Sequence, residues 1–163
     1  MALLDALLAI ITNPAVIIPA SAWIIAQILK AIINACVTKQ FSFSRLVGDG
    51  GMPSGHSATV TALTIICGLM NGFDSAVFGL ASIFAIVVMH DALGVRRETG
   101  KQAVSIIKMA EILNDVFVER DEKIKTDKLK TFVGHTPWQV VLGSLLGAVI
   151  AVGSYFLFPN LFN

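Results

Sequence analysis

The stretch Pro14–Val37, "PAVIIPASAWIIAQILKAIINACV", decides the fold, because in 24 residues it carries a single charge, Lys30. A hydrocarbon layer about 30 Å thick is crossed by roughly 20 helical residues, so this segment is long and apolar enough to span one. Windows 73–89 and 138–158 are of the same kind and hold at most one Asp, Glu, Lys or Arg each. A shorter window, 56–70, has no charge apart from His56 at its head. The opening "MALLDALLAII" is about half a span and stops at the Asn13-Pro14 break. It has neither a basic leader nor a small-residue cleavage site, so it is not expected to be a removed signal peptide. With 55% hydrophobic and 14% charged residues and a mean hydropathy of +0.78, the 163 residues are too apolar for an ordinary soluble domain.

The expected fold is therefore an all-α integral membrane bundle forming a single domain, 1–163. It should contain about four spanning helices, a short N-terminal half-helix and an amphipathic helix on the cytoplasmic side. That last element is read from "RRETGKQAVSIIKMAEILNDVF", where Ala103, Ile106, Ile107, Ala110 and Leu113 recur at helical spacing with charges on the other face. Nothing alternates with the period of a barrel strand. Cys36 and Cys67 lie inside apolar windows and read as small hydrophobes.

Net charge is +1, but its distribution is one-sided. If the four windows span in order, the loop 38–55 and the polar segment 92–137 share one side. Of the 12 Lys and Arg residues, every one but Lys30 falls there. The positive-inside rule makes that side cytoplasmic. The protein is expected in a bacterial cell membrane among its lipids, with no nucleic-acid partner.

Between the first two windows stands "GDGGMPSGHSA", Gly48 to Ala58, far richer in glycine than a turn requires. Ser54 and Gly55 can cap the helix carrying His56, and in "GHTPWQ" Thr136 or His135 can cap another, with Pro137 in its first turn. Helix starts offer unpaired N–H groups and a partial positive charge, and glycines admit an anion close to the backbone. Two histidines and the basic residues Lys39, Arg45, Arg96, Arg97, Lys128 and Lys130 gather on the same side. The pattern points to a phosphate.

"KQFSFSR", "GGMPSGHSA", "HDALGVRRETGKQA" and "LKTFVGHTPWQVVLGSLLG" together resemble the type 2 phosphatidic acid phosphatase superfamily, which includes the vanadium haloperoxidases, and within it a small divergent branch. The resemblance runs from Lys39 to Gly147. It implies a cofactor-free, metal-independent phosphohydrolase that acts on a lipid phosphate or diphosphate, isoprenoid or glycerol-based, through a phosphohistidine. On that reading His135 is the nucleophile and His56 the general acid. Lys39, Arg45, Ser54 and the backbone at Gly55 hold phosphoryl oxygens. The arginine of the family's third block is replaced at its place by Leu129, so Lys130, Arg96 or Arg97 takes its role. The acid expected four residues after the nucleophile is Gln139, which can still fix the tautomer of His135, and Asp91 or Glu98 is the candidate carboxylate.

Other readings stand beside these. Arg96 and Arg97 can simply anchor a span. Lys30 can snorkel to the interface and is not placed in the site. Gly143 and Gly147 form a small-xxx-small step, which serves either close packing within the chain or a homodimer seam. No His, Cys, Asp and Glu cluster has metal-ligand spacing. Because Gln139 replaces an acid, a catalytically idle lipid-phosphate binder or carrier is the alternative to an enzyme. A small membrane scaffold is the third reading.

The topology is testable by thiol labelling of intact cells in a cysteine-free background. Cysteines at Gly50 and Lys123 should be shielded from an impermeant reagent, whereas one at Asn163 should react. Labelling of Gly50→Cys from outside overturns the orientation.

Overall fold

Four helices begin where the sequence supplies a cap. A computed structural model of the chain describes residues 2–39, 51–116, 124, 126, 129 and 135–162, except for the side chain of Arg96. Helix α1 (Ala2–Thr12) stops at Asn13, whose side chain accepts the Ala15 N–H at 2.9 Å and, with Pro14 in the first turn, starts α2 (Pro14–Thr38). Ser54 caps α3 (Gly55–Asn71) and Ser75 caps α4 (Ala76–Leu93). Helix α5 (Val95–Val116) follows α4 across Gly94. Thr136 caps α6 (Pro137–Leu157), and a single 3₁₀ turn, Pro159–Leu161, follows it. Among the described residues there is no strand, so the all-helical expectation holds, including the N-terminal half-helix and the separate helix after the third window.

Two details differ from the sequence reading. The helix expected over 73–89 begins at Ala76, because Gly72 adopts φ +88° and Ser75 both donates its N–H to the Gly72 carbonyl at 3.2 Å and caps the helix through its hydroxyl. Among the described residues three helical runs, where the sequence reading has about four spans, are long and apolar enough to cross a membrane: Pro14–Thr38, Ala76–Val116 and Pro137–Leu157. Helix α3 has 17 residues, rising about 26 Å at 1.5 Å each, and is diluted by serine and threonine. Two of its threonines bond within the bundle: Thr59 and Thr64 donate to the carbonyls of Gly55 and Val60 at 2.8 Å, and Thr64 also reaches Ala81 of α4 at 3.1 Å.

Helix α3 is the centre of the bundle, packed against α2, α4 and α6. The core is built mostly of alanine: Ile18, Ala22 and Ala26 of α2 meet Ala58, Ala62 and Ile66 of α3 and Ala151 of α6. Lipid offers no hydrophobic drive for one apolar helix to seek another, so small side chains that allow close backbone approach supply the packing. The Gly143 and Gly147 step is used here within the chain. A Cβ on Gly143 would strike the Ser54 carbonyl, and one on Gly147 the Ala58 carbonyl.

Overpacking a tight contact costs about 1–3 kcal/mol, and backbone cannot swing aside as a side chain can. Gly147→Val should lower the thermal midpoint in detergent by the upper part of that range or prevent folding. Gly153→Ala, on the same helix with nothing within 4 Å, should leave it unchanged or raise it.

Candidate functional site

Three helix ends meet at one level of the bundle. The Ser54 N–H, at the head of α3, donates to the Gln139 carbonyl in the first turn of α6 at 3.0 Å. The His135 N–H, just before α6, donates to the Ala92 carbonyl in the last turn of α4 at 3.0 Å. These bonds tie the two motif segments to each other and to the end of α4. They bring the His56 and His135 rings to a centroid separation of 6.0 Å with planes inclined at 54°. His135 is 3% exposed and His56 half-buried.

The local sequence around His135 fixes its chemistry. Thr136 and Gln139 form a reciprocal capping box: the Thr136 hydroxyl accepts the Gln139 N–H at 3.4 Å, and Gln139 Oε1 accepts the Thr136 N–H at 2.9 Å. A backbone N–H can only donate, so the amide atom facing it is the oxygen. The same Oε1 lies 3.3 Å from His135 Nδ1, at the long end of the hydrogen-bonding range. In the neutral tautomer with the proton on Nδ1, that proton can be donated to Gln139 Oε1, and Nε2 then carries the lone pair.

At the head of α3, the fully buried Ser54 accepts from the Ser57 N–H at 3.3 Å and from the Ser57 hydroxyl at 3.0 Å. Gly55 faces α2, where a Cβ would lie 3.2 Å from Trp23 Cδ1 and 4.0 Å from Gln27 Cδ. Asp91 is half-buried beside Ala92, the residue that holds the His135 backbone. Arg97 is exposed near the start of α5, and Glu98, also exposed, pairs with Lys101. Lys39 is exposed at the end of α2, with φ +54°. It stands twelve residues beyond Gln27, roughly 18 Å along the helix axis. Arg45 and Lys130 lie outside the described residues, as does the side chain of Arg96.

Two buried polar residues of α2, neither assigned a role from the sequence, lie beside the head of α3. Lys30 is 4% exposed and Gln27 is 7% exposed. A Cβ built on Gly51, which has φ +111°, would lie 3.0 Å from Lys30 Cγ and 3.1 Å from Cδ, so the lysine stem runs against the turn that leads into α3. Lys30 is thus held inside the bundle and does not snorkel to an exposed interface. The signal was present in the sequence: Ala22, Ala26 and Lys30 are spaced four apart, one small-residue face with a cation at its end.

The fold and site define a helical membrane protein whose paired histidines head two helices docked through glycine. The chain belongs to the Divergent PAP2 family, whose model matches residues 11–150. It is 39% identical over 154 residues to the uncharacterized membrane protein YuiD of Bacillus subtilis, covering 90% of this chain and 98% of that protein. No solved structure matches the chain.

The α3 cap should be structural as well as positional. Ser54→Ala removes the acceptor for the Ser57 N–H and for its hydroxyl, and losing an N-cap costs about 0.5–2 kcal/mol. A lowered thermal midpoint of that size in detergent is the expected result.

Proposed function

We propose that the chain is a lipid-phosphate phosphohydrolase acting through a phosphohistidine on His135, with its site at the cytoplasmic face. The observation that carries this reading is the paired histidines, with the amide oxygen of a capping box beside Nδ1 of one of them. Ring centroids 6.0 Å apart let both imidazoles touch one phosphoryl group. Nε2 of His135 attacks phosphorus, the bond from phosphorus to the lipid oxygen breaks, and protonated His56 gives its proton to the departing alcohol. His56, now neutral, takes a proton from water as the water attacks the phosphohistidine, which frees phosphate and restores both rings. N–H groups at the head of α3 are fixed donors for the charge on the transferring group. Asp91, half-buried at the end of α4, is the carboxylate proposed to favour the imidazolium. Lys39, Arg45, Arg96, Arg97 and Lys130 are proposed to supply the basic rim.

An apolar groove of about 320 Å³ supports a lipid substrate. It lies between α2 and α6, lined by Leu29, Ile33, Leu142, Leu145, Met52 and Pro53, the last directly before Ser54. A tail in this groove leaves its head group at the head of α3. The membrane supplies the occupant, since the flanking faces of both helices are exposed and apolar.

A neutral Gln139 where an acid is expected favours one second reading, a binder without turnover. Phosphate release from a panel of lipid phosphates by purified protein in detergent separates the two. His135→Ala should abolish release while lipid-phosphate affinity stays within about tenfold, or 1.4 kcal/mol. Chelators should leave release intact and vanadate should inhibit it. Gln139→Asp should raise the rate if the missing carboxylate limits it. A wild-type protein that binds lipid phosphates, releases none and is indistinguishable from His135→Ala contradicts the enzyme.

A further inference from the structure

Lys30 and Gln27 share the face of α2 that meets the head of α3. Ala26 and Ala22, one and two turns earlier, are completely buried in the alanine core, and Lys30 continues their line. Gln27 lies against Gly55, the first residue of α3, and Lys30 against Gly51, four residues before it. Gln27 Oε1 is the buried side-chain polar atom that, among the described residues, has no hydrogen-bond partner. A buried amide with an unmade bond, at the start of a helix and one turn from a buried cation, has the composition of a binding site and not of a packing surface. Lys30 is three residues past Gln27, about 4.5 Å along the axis, within reach of a group bound at the N–H groups of α3. Lys39 is roughly 18 Å along the same axis from Gln27.

We propose that Lys30 and Gln27 of α2 form, with the turn Gly51–Gly55 and the first turn of α3, the subsite that takes a phosphate monoester. Lys30 supplies its buried cation and Gln27 a hydrogen bond. The inference rests on reading the site as phosphate-binding, and it names which residues of this chain hold the anion. It does not require turnover. Lysine suits the role because its ammonium is a compact point charge with three donors, able to serve oxygens on more than one side of a tetrahedral group. With its oxygen towards a protonated phosphate oxygen, Gln27 accepts; turned over, its NH₂ donates to an ionised one. In either orientation the bond it lacks is made.

The test is binding of two probes to the full chain in detergent, by calorimetry: inorganic phosphate alone, and a short-chain phosphatidic acid. Lys30→Met keeps the stem and removes the charge, and should weaken binding about tenfold or more, at least 1.4 kcal/mol. Lys30→Arg should recover most of it. Gln27→Leu removes an unpartnered buried amide, so it should leave the thermal midpoint unchanged or raised while still weakening binding. Weakening in either probe supports the subsite, and the probe in which it occurs identifies the ligand as free phosphate or a lipid head group. If Lys30→Met does not fold, Gln27→Leu decides alone. Unchanged affinity for both probes in a folded variant overturns the proposal.

The two readings fail separately. A wild-type protein that hydrolyses lipid phosphates, with Lys30→Met unchanged in KM and kcat, removes this inference and leaves the phosphatase. One that binds without turnover, and loses binding with Lys30→Met, removes the phosphatase and leaves the subsite.

Discussion

The backbone contact between α3 and α6 is the constraint on which the rest of the site depends. Gly143 lies flat against Ser54 and Gly147 against Ala58, so closely that neither tolerates a Cβ. That approach lets the Ser54 N–H reach the Gln139 carbonyl, and so sets the first turn of one helix beside the first turn of the other. Both motif histidines stand next to this junction, His56 two residues after Ser54 and His135 four residues before Gln139. In lipid, where water does not drive such an approach, small residues and one interhelical hydrogen bond have to achieve it. A glycine pair that the sequence leaves open to close packing or a dimer seam thus packs inside the chain.

Electrostatics and tautomer follow from the same geometry. Helix heads present N–H groups and partial positive charge, while Gln139 meets both its own cap and His135. A single amide therefore starts a helix and orients a ring. This local economy explains how a glutamine can stand where an acid is expected: the capping box needs an acceptor at that position, and glutamine supplies one as well as glutamate does. What glutamine does not supply is charge to favour an imidazolium. Asp91, the carboxylate proposed for that work, directly precedes Ala92, whose carbonyl accepts the His135 N–H.

Much of this was legible in the sequence because membrane helices announce themselves by long apolar runs and their starts by Ser, Thr, Asn and Pro. Asn13-Pro14, Ser54 and Thr136-Pro137 mark helix starts in the structure as they do in the sequence. The third window began three residues early because Phe73 is apolar, whereas the backbone there is still in the Gly72 turn. The direction of Lys30 was left open by the sequence for a deeper reason. A lysine in a span can snorkel or face inwards, and only the register of α2 against α3 decides which. That register is set by Ala22 and Ala26 against Ala58 and Ala62, a tertiary match between helices separated in the sequence by residues 39–54. Lys39, assigned to the phosphate from its motif, is exposed at the end of α2.

The central claim is that this junction of helix heads makes His135 a nucleophile. Quenching the protein in alkali while it turns over a lipid phosphate with a radiolabelled phosphoryl group, then mapping the labelled peptide, tests it most directly. The account predicts an acid-labile label on His135 that chases into inorganic phosphate. Phosphate release with no protein-bound label, or with the label on another side chain, would contradict it.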